Sequence, residues 1–321
     1  MRVLVTGATT PLGAALVRRL DDDPAVEHVL ETAVEPGLAD GPRRSYRRAD
    51  LSRPRAVHDL VHGPARELEI DSVVHLALHR RSADEGASVH RRNVESTRAL
   101  LHACAELPAI RRFVFVSSAS VYALTTRAPT LLDEESALEL DPRAPQWLRD
   151  RVEADLTVCA RMGLERFGVV VLRCAEILDE DTGSQLWDYL RSRVCLRPLG
   201  FDPMINVLSL DDAADAIALA LGRDGNAVYN VTGADTLPLS RLIGLWGRRE
   251  VAVPGPLLAP LYRLRRRATG LDFRYDLNRR RFHLGGIVDD TRARRDLGYQ
   301  PHHHLAWPTA PGARPGARPG A

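Results

Sequence analysis

Short β-branched segments alternate with longer amphipathic segments through the first half of the chain, and this alternation restricts the fold more than any other feature. It predicts strands over 2–6, 26–33, 72–76, 113–117 and 169–173. Helices are predicted between them, over 11–20, 56–68, 89–106 and 146–162. Strands joined by crossover helices lie parallel in one sheet. The pattern therefore predicts an α/β fold, a doubly wound parallel sheet that binds ligands at the carboxyl ends of its strands.

The pattern changes after about Cys174 to shorter mixed segments, with helices predicted over 211–221 and near 240–246 and a strand over 227–231. We expect residues 1–173 to form the parallel-sheet domain. Residues 174–305 are expected to form a smaller mixed C-terminal lobe, interleaved with that domain and lining a substrate cleft. Residues 306–321 contain a repeated Gly-Ala-Arg-Pro unit and are predicted to be a disordered tail.

All 44 basic side chains are arginine, so the chain has no lysine. This excludes Schiff-base chemistry, a P-loop lysine and a kinase lysine. The formal charge of +2 gives no reason to expect nucleic-acid binding. The four cysteines have no metal-type spacing and are expected to be reduced thiols. Since no segment is typical of a signal peptide or a membrane span, we predict a soluble, cytoplasmic protein.

A glycine-rich turn, Thr6–Gly13, follows the first predicted strand and opens the first helix. Backbone N–H groups and the helix dipole at such a position can hold a pyrophosphate. Gly7 permits the tight turn, and Gly13 lets the helix lie close to the sheet. Thr10 replaces a third glycine, although its hydroxyl could bond a phosphate, and Pro11 suits a first helical turn. The alternative is an ordinary strand-to-helix turn with incidental glycines.

Further segments, in order along the chain, give it a resemblance to the extended short-chain dehydrogenase/reductase family, in its NAD-dependent epimerase/dehydratase group. The resemblance covers residues 1 to about 305. It implies a Rossmann-type domain with NAD or NADP as cofactor and a nucleotide-linked small molecule as ligand. The matching segments are Thr6–Gly13, 49–51, 73–77, 93–97, 115–122, 171–173, 230–233 and 290–299.

The resemblance also implies which residues bind the cofactor. Asp50 would contact the adenine, while Asn93 would fix the strand that carries the site. Both have structural alternatives, since Asp50 could cap a helix before Pro54 and Asn93 could satisfy buried backbone groups. Leu76 and Ala77 would line the pyrophosphate side. The full implied set is Gly7, Thr9, Thr10, Pro11, Leu12, Gly13, Asp50, Leu51, Leu76, Ala77, Asn93 and Arg151.

The chain departs from the family at its catalytic residues, which are a serine, a tyrosine and a lysine four positions after the tyrosine. Ser118 occupies the serine position, but Trp147 stands at the tyrosine and Arg151 at the lysine. Arginine can retain the lysine's charge and its hydrogen bonds to the ribose. Tryptophan cannot act as a general acid or base near neutral pH, because its indole N–H does not ionise there.

The acidic residue expected to bind the adenosine ribose is also missing, since its position falls near Ala33. Glu31 or Glu35 could substitute if the strand end is shifted. The nearby arginines could favour a 2′-phosphate or form a solvated cluster, and we favour the solvated cluster. These arginines are Arg43, Arg44, Arg47 and Arg48.

Three functions remain open. The glycine turn, the ribose acid and both members of the tyrosine–lysine pair are all altered. These changes together favour an NAD(P)-binding protein with lost or much reduced oxidoreductase activity, acting as a nucleotide sensor or binding partner. The alternatives are an active enzyme on a nucleotide sugar or similar carbonyl substrate, and a scaffold without nucleotide. Tyr122, Cys174 and Glu176 lie near the expected site, and we interpret the tyrosine as packing or substrate lining and the cysteine as core. His302–His304 lack an evident carboxylate partner, so no metal is predicted.

Two surfaces suggest partners. The arginine-rich segment 257–281 could contact an anionic membrane, an acidic protein or a nucleotide-linked substrate, although we favour solvated arginines on an exposed loop and helix. The resemblance implies a homodimer through the helices predicted over 89–106 and 146–162.

Overall fold

Strands and helices alternate through the part of the chain that the structure, a computed structural model, describes: residues 1–37 and 40–308. Most of the predicted tail, 306–321, lies outside the described residues. The strands are β1 (Arg2–Thr6), β2 (His28–Ala33), β3 (Arg44–Arg48), β4 (Ser72–His75), β5 (Arg112–Ser118), β6 (Leu131–Leu132), β7 (Gly168–Cys174), β8 (Glu176–Ile177), β9 (Val194–Pro198), β10 (Met204–Leu208), β11 (Ala227–Val231), β12 (Asp235–Pro238), β13 (Arg249–Val253) and β14 (Ile287–Val288).

The helices fall where amphipathic segments were predicted in the first half of the chain. A π-helical turn over Val61–Ala65 continues α2, and another over Arg91–Glu95 joins α3 to α4. The helices are α1 (Pro11–Asp21), α2 (Pro54–Leu60), α3 (Ala87–His90), α4 (Ser96–Ala105), α5 (Gln146–Cys159), α6 (Gln185–Leu190), α7 (Leu210–Leu221), α8 (Leu239–Leu245), α9 (Gly255–Thr269), α10 (Tyr275–Leu284) and α11 (Thr291–Leu297). No helix of the described chain is long and apolar enough to cross a lipid bilayer.

A seven-stranded parallel sheet forms the centre of the molecule, with strand order β3-β2-β1-β4-β5-β7-β11. The predicted α/β fold is therefore confirmed. The chain moves outward from β1 to β3 and then returns to β4 on the other side of β1. This reversal separates the connections that follow β1 and β4 and opens a crevice at the carboxyl ends of the strands.

Strand β3 was not predicted, because its sequence of three arginines around Ser45 and Tyr46 lacks an apolar pattern. It lies at the edge of the sheet and pairs only with β2. An edge strand needs one partner and tolerates charged side chains on its exposed faces. Pairing with β2 therefore makes this segment a strand, because its own sequence has no strand pattern.

The second half of the chain contributes to two regions. Helix α7 packs against α1, and β11 extends the central sheet beside β7. Helix α11 also packs against β11 and α7. Other segments form the smaller lobe, in which β10 pairs with β8 and β12, and β9 pairs with β13. The core of this lobe is aromatic, with Tyr189, Tyr262, Phe273 and Phe282 buried together. The lobe covers the carboxyl ends of β5 and β7.

A buried ion pair fixes helix α5 to the sheet. The Asp155 carboxylate accepts hydrogen bonds from Arg173 Nη2 at 2.8 Å and Nε at 3.1 Å, and from the Ser117 hydroxyl at 2.5 Å. Asp155 is fully buried and Arg173 nearly so. Arg173 Nη1 also donates to the Tyr122 hydroxyl at 3.2 Å and the Glu134 carbonyl at 3.1 Å. One carboxylate thus connects α5, β5 and β7.

Replacing Asp155 with alanine should lower the free energy of unfolding by about 3–5 kcal/mol, because the Arg173 guanidinium would remain buried without its counter-charge. The control is Asp59→Ala, which removes an exposed partner of Arg55 on α2. That change should cost less than about 1 kcal/mol. Urea unfolding of the two variants measures the difference, and equal costs would contradict a structural role for the buried pair.

Candidate cofactor and substrate site

The glycine-rich turn lies directly against the segment that follows β4. Gly7 has a φ of +71°, and a Cβ built on it would lie 3.2 Å from the backbone nitrogen of Ala77 and the carbonyl carbon of Leu76. Leu76 and Ala77 are therefore beside the turn, where the resemblance places them. A Cβ on Gly13 would lie 2.3 Å from the Gly7 carbonyl oxygen and 2.7 Å from Ala8 Cα. Gly13 thus lets the start of α1 lie close to the turn that directly follows β1.

Thr10, which replaces the third glycine, caps helix α1. Its hydroxyl accepts a hydrogen bond from the Gly13 N–H at 3.0 Å, and its carbonyl accepts from the Ala14 N–H at 2.8 Å. Pro11 begins the helix and has no N–H. The Leu12 N–H therefore remains as a donor without an assigned partner in the described chain. A helix N-terminus with such a donor and a glycine cradle fits a pyrophosphate.

The structure distinguishes the two glutamates considered for the ribose position. The Thr9 hydroxyl donates to Glu35 Oε2 at 3.2 Å, so Glu35 lies beside the phosphate turn and is exposed. Glu31 is instead buried within β2, with Arg44 Nε at 3.9 Å, and its burial raises its pKa. Of the arginines considered for a 2′-phosphate, Arg48 donates from Nε to the carbonyl of Val34, the residue before Glu35, at 2.7 Å.

Two other implied cofactor residues have structural roles here. Asp50 Oδ1 accepts from the Ser52 N–H at 3.1 Å and hydroxyl at 2.7 Å, which forms the turn before α2. The N-cap of α2 is Arg53, so the cap considered for Asp50 was wrong. Asn93 is buried, and its Oδ1 accepts from the His79 N–H at 2.7 Å. It holds the segment after β4 in place. Leu51 is buried in the core.

A buried histidine at the end of β4, His75, connects the glycine-rich turn to α4. His75 Nδ1 lies 2.7 Å from the Thr6 hydroxyl, and Nε2 lies 3.0 Å from the Thr97 hydroxyl. Because Thr97 donates to the Asn93 carbonyl at 2.6 Å, it accepts from Nε2, and Nδ1 accepts from Thr6. Complete burial lowers the pKa of His75 to about 4. This neutral imidazole is structural, and only its three-dimensional neighbours identify it.

The crevice consists of two adjoining clefts. One is lined by Thr10, Pro11 and Leu12 together with Leu76, and the other lies under the smaller lobe. The second cleft is lined by polar side chains that include Gln185, Asn206, Asn278 and Arg281. The residues common to both clefts are Ser118, Trp147, Cys174, Ala175 and Glu176.

Trp147 and Arg151 pack against each other at this junction. They lie one helical turn apart on α5, and the Arg151 guanidinium carbon is 3.8 Å from the centroid of the indole ring. Arg151 is buried, and burial lowers its pKa to about 10. The one hydrogen bond assigned to its guanidinium in the described chain runs from Nη1 to the His79 carbonyl at 3.5 Å. The Trp147 Nε1 is buried and has no partner among the described residues.

The other groups at the junction are held in fixed protonation states. The Tyr122 hydroxyl donates to Asn230 Oδ1 at 2.7 Å, and burial raises its pKa to about 12. Burial also raises the pKa of the Cys174 thiol to about 12. Burial raises the pKa of Glu176, but pairing with Arg281 and a hydrogen bond from the Ser184 hydroxyl at 2.7 Å more than offset it, so the pKa lies below its ordinary value.

Ser118 ends β5 and opens the short turn that leads to Tyr122. Its hydroxyl accepts from the Ser120 N–H at 3.2 Å, as the cap of that turn. The side chain is half-buried and lines both clefts. Ser118, Trp147 and Arg151 all line the cleft beside the glycine-rich turn.

The arginine-rich segment enters the site, which the favoured interpretation of solvated arginines did not anticipate. Arg281 pairs with Glu176 at the junction. Arg274 donates to the Ser82 carbonyl at 2.9 Å and pairs with Glu85 at 2.6 Å, which joins the smaller lobe to the segment after β4. The interpretation was wrong for these two side chains, because distant carboxylates and carbonyls fold onto them.

The histidines near the C-terminus do have carboxylate neighbours, contrary to the expectation. His303 Nε2 lies 3.5 Å from Asp215, and with Asp212 these groups are close enough to share an ion. Asp212 Oδ1, however, accepts from the N–H groups of His302 at 2.9 Å and His303 at 3.1 Å, while Asp215 accepts from Arg19 at 2.7 Å. Protein donors therefore account for this cluster, and no metal site is proposed.

This arrangement defines a protein with a Rossmann-type fold and a glycine-rich turn at the carboxyl end of β1. A family model described as the NAD dependent epimerase/dehydratase family matches residues 3–167. An uncharacterized protein of Mycobacterium tuberculosis is 30% identical over 310 residues, which cover 93% of this chain and 80% of the relative. The chain belongs to the NAD-dependent epimerase/dehydratase family.

Solved structures of the same fold include enzymes that act on nucleotide sugars. A dTDP-glucose 4,6-dehydratase from Bacillus anthracis, in complex with NAD, has a TM-score of 0.68 at 18% identity, with 94% of this chain and 92% of that chain covered. A UDP-glucose 4-epimerase from Thermotoga maritima has a TM-score of 0.69 at 16% identity, with 94% of both chains covered. At these identities the similarity shows the fold.

Replacing Gly13 with alanine should destabilise the protein by about 1–3 kcal/mol, because the added methyl group would overlap the Gly7 carbonyl. Gly244→Ala is the matched control, since Gly244 is also helical and a Cβ there meets nothing within 4 Å. That change should be neutral or raise stability by up to about 1 kcal/mol. Thermal unfolding compares the two, and equal melting temperatures would show that the turn is not closely packed.

Proposed function

We propose that this protein binds NAD, has lost the family's tyrosine-dependent proton transfer, and acts as a nucleotide sensor or binding partner. The observation that carries the proposal is the stacked pair of Trp147 and Arg151 at the junction of the two clefts. The tryptophan removes the proton-transfer group, while the arginine keeps a cation where the family has its lysine. In this proposal the tryptophan prevents the chemical step, whereas the arginine preserves cofactor binding.

The turn and its surroundings support dinucleotide binding. The glycine cradle at Gly7 and the helix N-terminus at Leu12 fit a pyrophosphate. Bound NAD would supply hydride transfer at its nicotinamide. The Glu35 carboxylate beside Thr9 is suited to accept hydrogen bonds from ribose hydroxyls and would repel a 2′-phosphate. These contacts favour NAD over NADP.

Arg151 is suited to binding rather than to proton transfer. Its guanidinium is buried and donates only one long hydrogen bond to the described chain, so most of its N–H groups remain for a ligand. The indole of Trp147 supports the cation from one face. Even with its pKa lowered to about 10, Arg151 stays protonated at neutral pH and donates hydrogen bonds to ribose hydroxyls.

The remaining groups at the junction do not supply a proton near neutral pH. Tyr122 and Cys174 stay protonated because burial raises the pKa of each to about 12. Glu176 stays ionised beside Arg281. A general acid or base works best with a pKa near the operating pH. Tyr122, Cys174 and Glu176 do not meet this condition, which supports loss of the family reaction.

A titration with NAD and NADP tests the binding step. Calorimetry should show binding of NAD, more weakly of NADP, and thermal stabilisation by both. Arg151→Met should weaken NAD binding about ten-fold, because charged hydrogen bonds to the ribose are lost. Arg149→Met is the control, since Arg149 is an exposed arginine on the same helix and should change affinity less than about two-fold. No heat and no stabilisation with either nucleotide would contradict the proposal and favour a scaffold.

A turnover assay tests the loss of chemistry. With NAD and either UDP-glucose or dTDP-glucose, the wild-type protein should give no change in nicotinamide absorbance and no altered sugar product by chromatography. The variant Trp147→Tyr with Arg151→Lys supplies the missing proton-transfer group and is the positive comparison. Turnover by the wild-type protein would contradict the loss. If Ser118→Ala or Glu176→Gln then abolished that turnover, the substituted residue would be the alternative proton route. If both variants kept it, the proton would pass by another group.

A further inference from the structure

Helix α9 of the smaller lobe has an apolar face that nothing in the described chain covers. Its inner face places Leu258 and Tyr262 in the aromatic core of the lobe. Its outer face holds Leu257, Leu261 and Leu264, whose exposed fractions are 53%, 39% and 66%. A helix that is apolar on two separate faces uses only one of them for the protein's own core.

The three exposed leucines form one stripe along the helix. At about 100° per residue, they lie within about 60° of one another around the helix axis. By the same geometry Arg263 and Arg267 follow one side of the stripe. Neither arginine has a carboxylate partner among the described residues, nor does Arg266, and residues 255–271 contain no acidic side chain. An apolar stripe bordered by unpaired cations is typical of helices that lie in a membrane interface.

Two further exposed apolar side chains lie near the start of α9. The Leu199 N–H donates to the Val253 carbonyl at 2.9 Å, two residues before α9 begins, and Leu199 is 59% exposed. The ring of Phe201, 42% exposed, lies 4.7 Å from that of His283 between centroids. His283 Nε2 in turn lies 3.5 Å from the position of a Cβ on Gly255, at the start of α9. Leu199 and Phe201 therefore lie near the N-terminal end of α9, separate from the leucine stripe.

We propose that the outer face of α9, the stripe of Leu257, Leu261 and Leu264 with Arg263 and Arg267 beside it, binds peripherally to an anionic lipid bilayer. The leucines would enter the boundary between headgroups and acyl chains, and the arginines would contact lipid phosphates. A symmetric contact with a second copy is disfavoured, because it would place the unpaired arginines of both copies against each other. The proposal rests on this outer surface and does not depend on the nucleotide site.

Vesicle flotation with the full chain tests the proposal. The protein should float with vesicles of equal parts phosphatidylglycerol and phosphatidylcholine, much less with phosphatidylcholine alone, and less as the salt concentration rises. Leu261→Ser with Leu264→Ser should abolish flotation. Arg263→Gln and Arg267→Gln should each weaken binding about five-fold, because each removes one lipid-facing charge.

Matched controls change the same residue types on other surfaces. Leu164→Ser removes a leucine that is more exposed, at 75%, and Arg18→Gln removes an exposed arginine of α1. Both should float like the wild type, and circular dichroism confirms that every variant is folded. No flotation of the folded wild type, or equal loss in the controls, would overturn the proposal. Light scattering that shows an oligomer dissociated by the leucine changes, without flotation, would assign the surface to a protein contact and overturn it as well.

Discussion

The buried pair of Asp155 and Arg173 is the interaction on which the position of the site depends. Asp155 lies in the middle of α5, and Arg173 and Ser117 lie on adjacent strands of the sheet. Placing a carboxylate and a guanidinium away from water is costly, so the pair is favourable only while each group keeps its hydrogen bonds. Keeping these hydrogen bonds restricts the position of α5 against β5 and β7. Trp147 and Arg151, two turns and one turn earlier on the same helix, reach the cleft because this anchor holds them there.

The anchored helix presents a pair of side chains that are suited to each other. A guanidinium stacks on an indole more favourably than it would on an aliphatic side chain, and at 3.8 Å the two are in direct contact. An indole does not ionise near neutral pH, whereas the arginine carries the permanent charge that a nucleotide ribose and phosphate attract. The two side chains are therefore physically coupled. The surrounding turn, capped by Thr10 and closed by Gly7 and Gly13, retains the features of a binding site.

The absence of lysine has different consequences in different parts of the molecule. Within the cleft, Arg281 neutralises Glu176, and Arg274 joins the two lobes through Ser82 and Glu85. On α9, by contrast, arginines stand in solvent beside exposed leucines. The same preference for arginine thus provides ion pairs inside the protein and unpaired positive charges on its surface. Which role an arginine has depends on the carboxylates that the fold brings near it.

The sequence alone determined the parallel α/β architecture, since the alternation of strand and helix patterns admits few others and Arg2–Thr6 and Ala227–Val231 were predicted to the residue. It also located the glycine-rich turn between β1 and α1, because a turn between a strand and a helix follows from order along the chain. Tertiary structure alone decided that β3 is an edge strand, that Glu35 rather than Glu31 reaches the turn, and that His75 is neutral and buried. It likewise brought Arg281 to Glu176, 105 positions apart in the chain. The physical reason is that patterns of polarity act locally, whereas hydrogen-bond partners, burial and charge pairing depend on residues that only the folded chain makes neighbours.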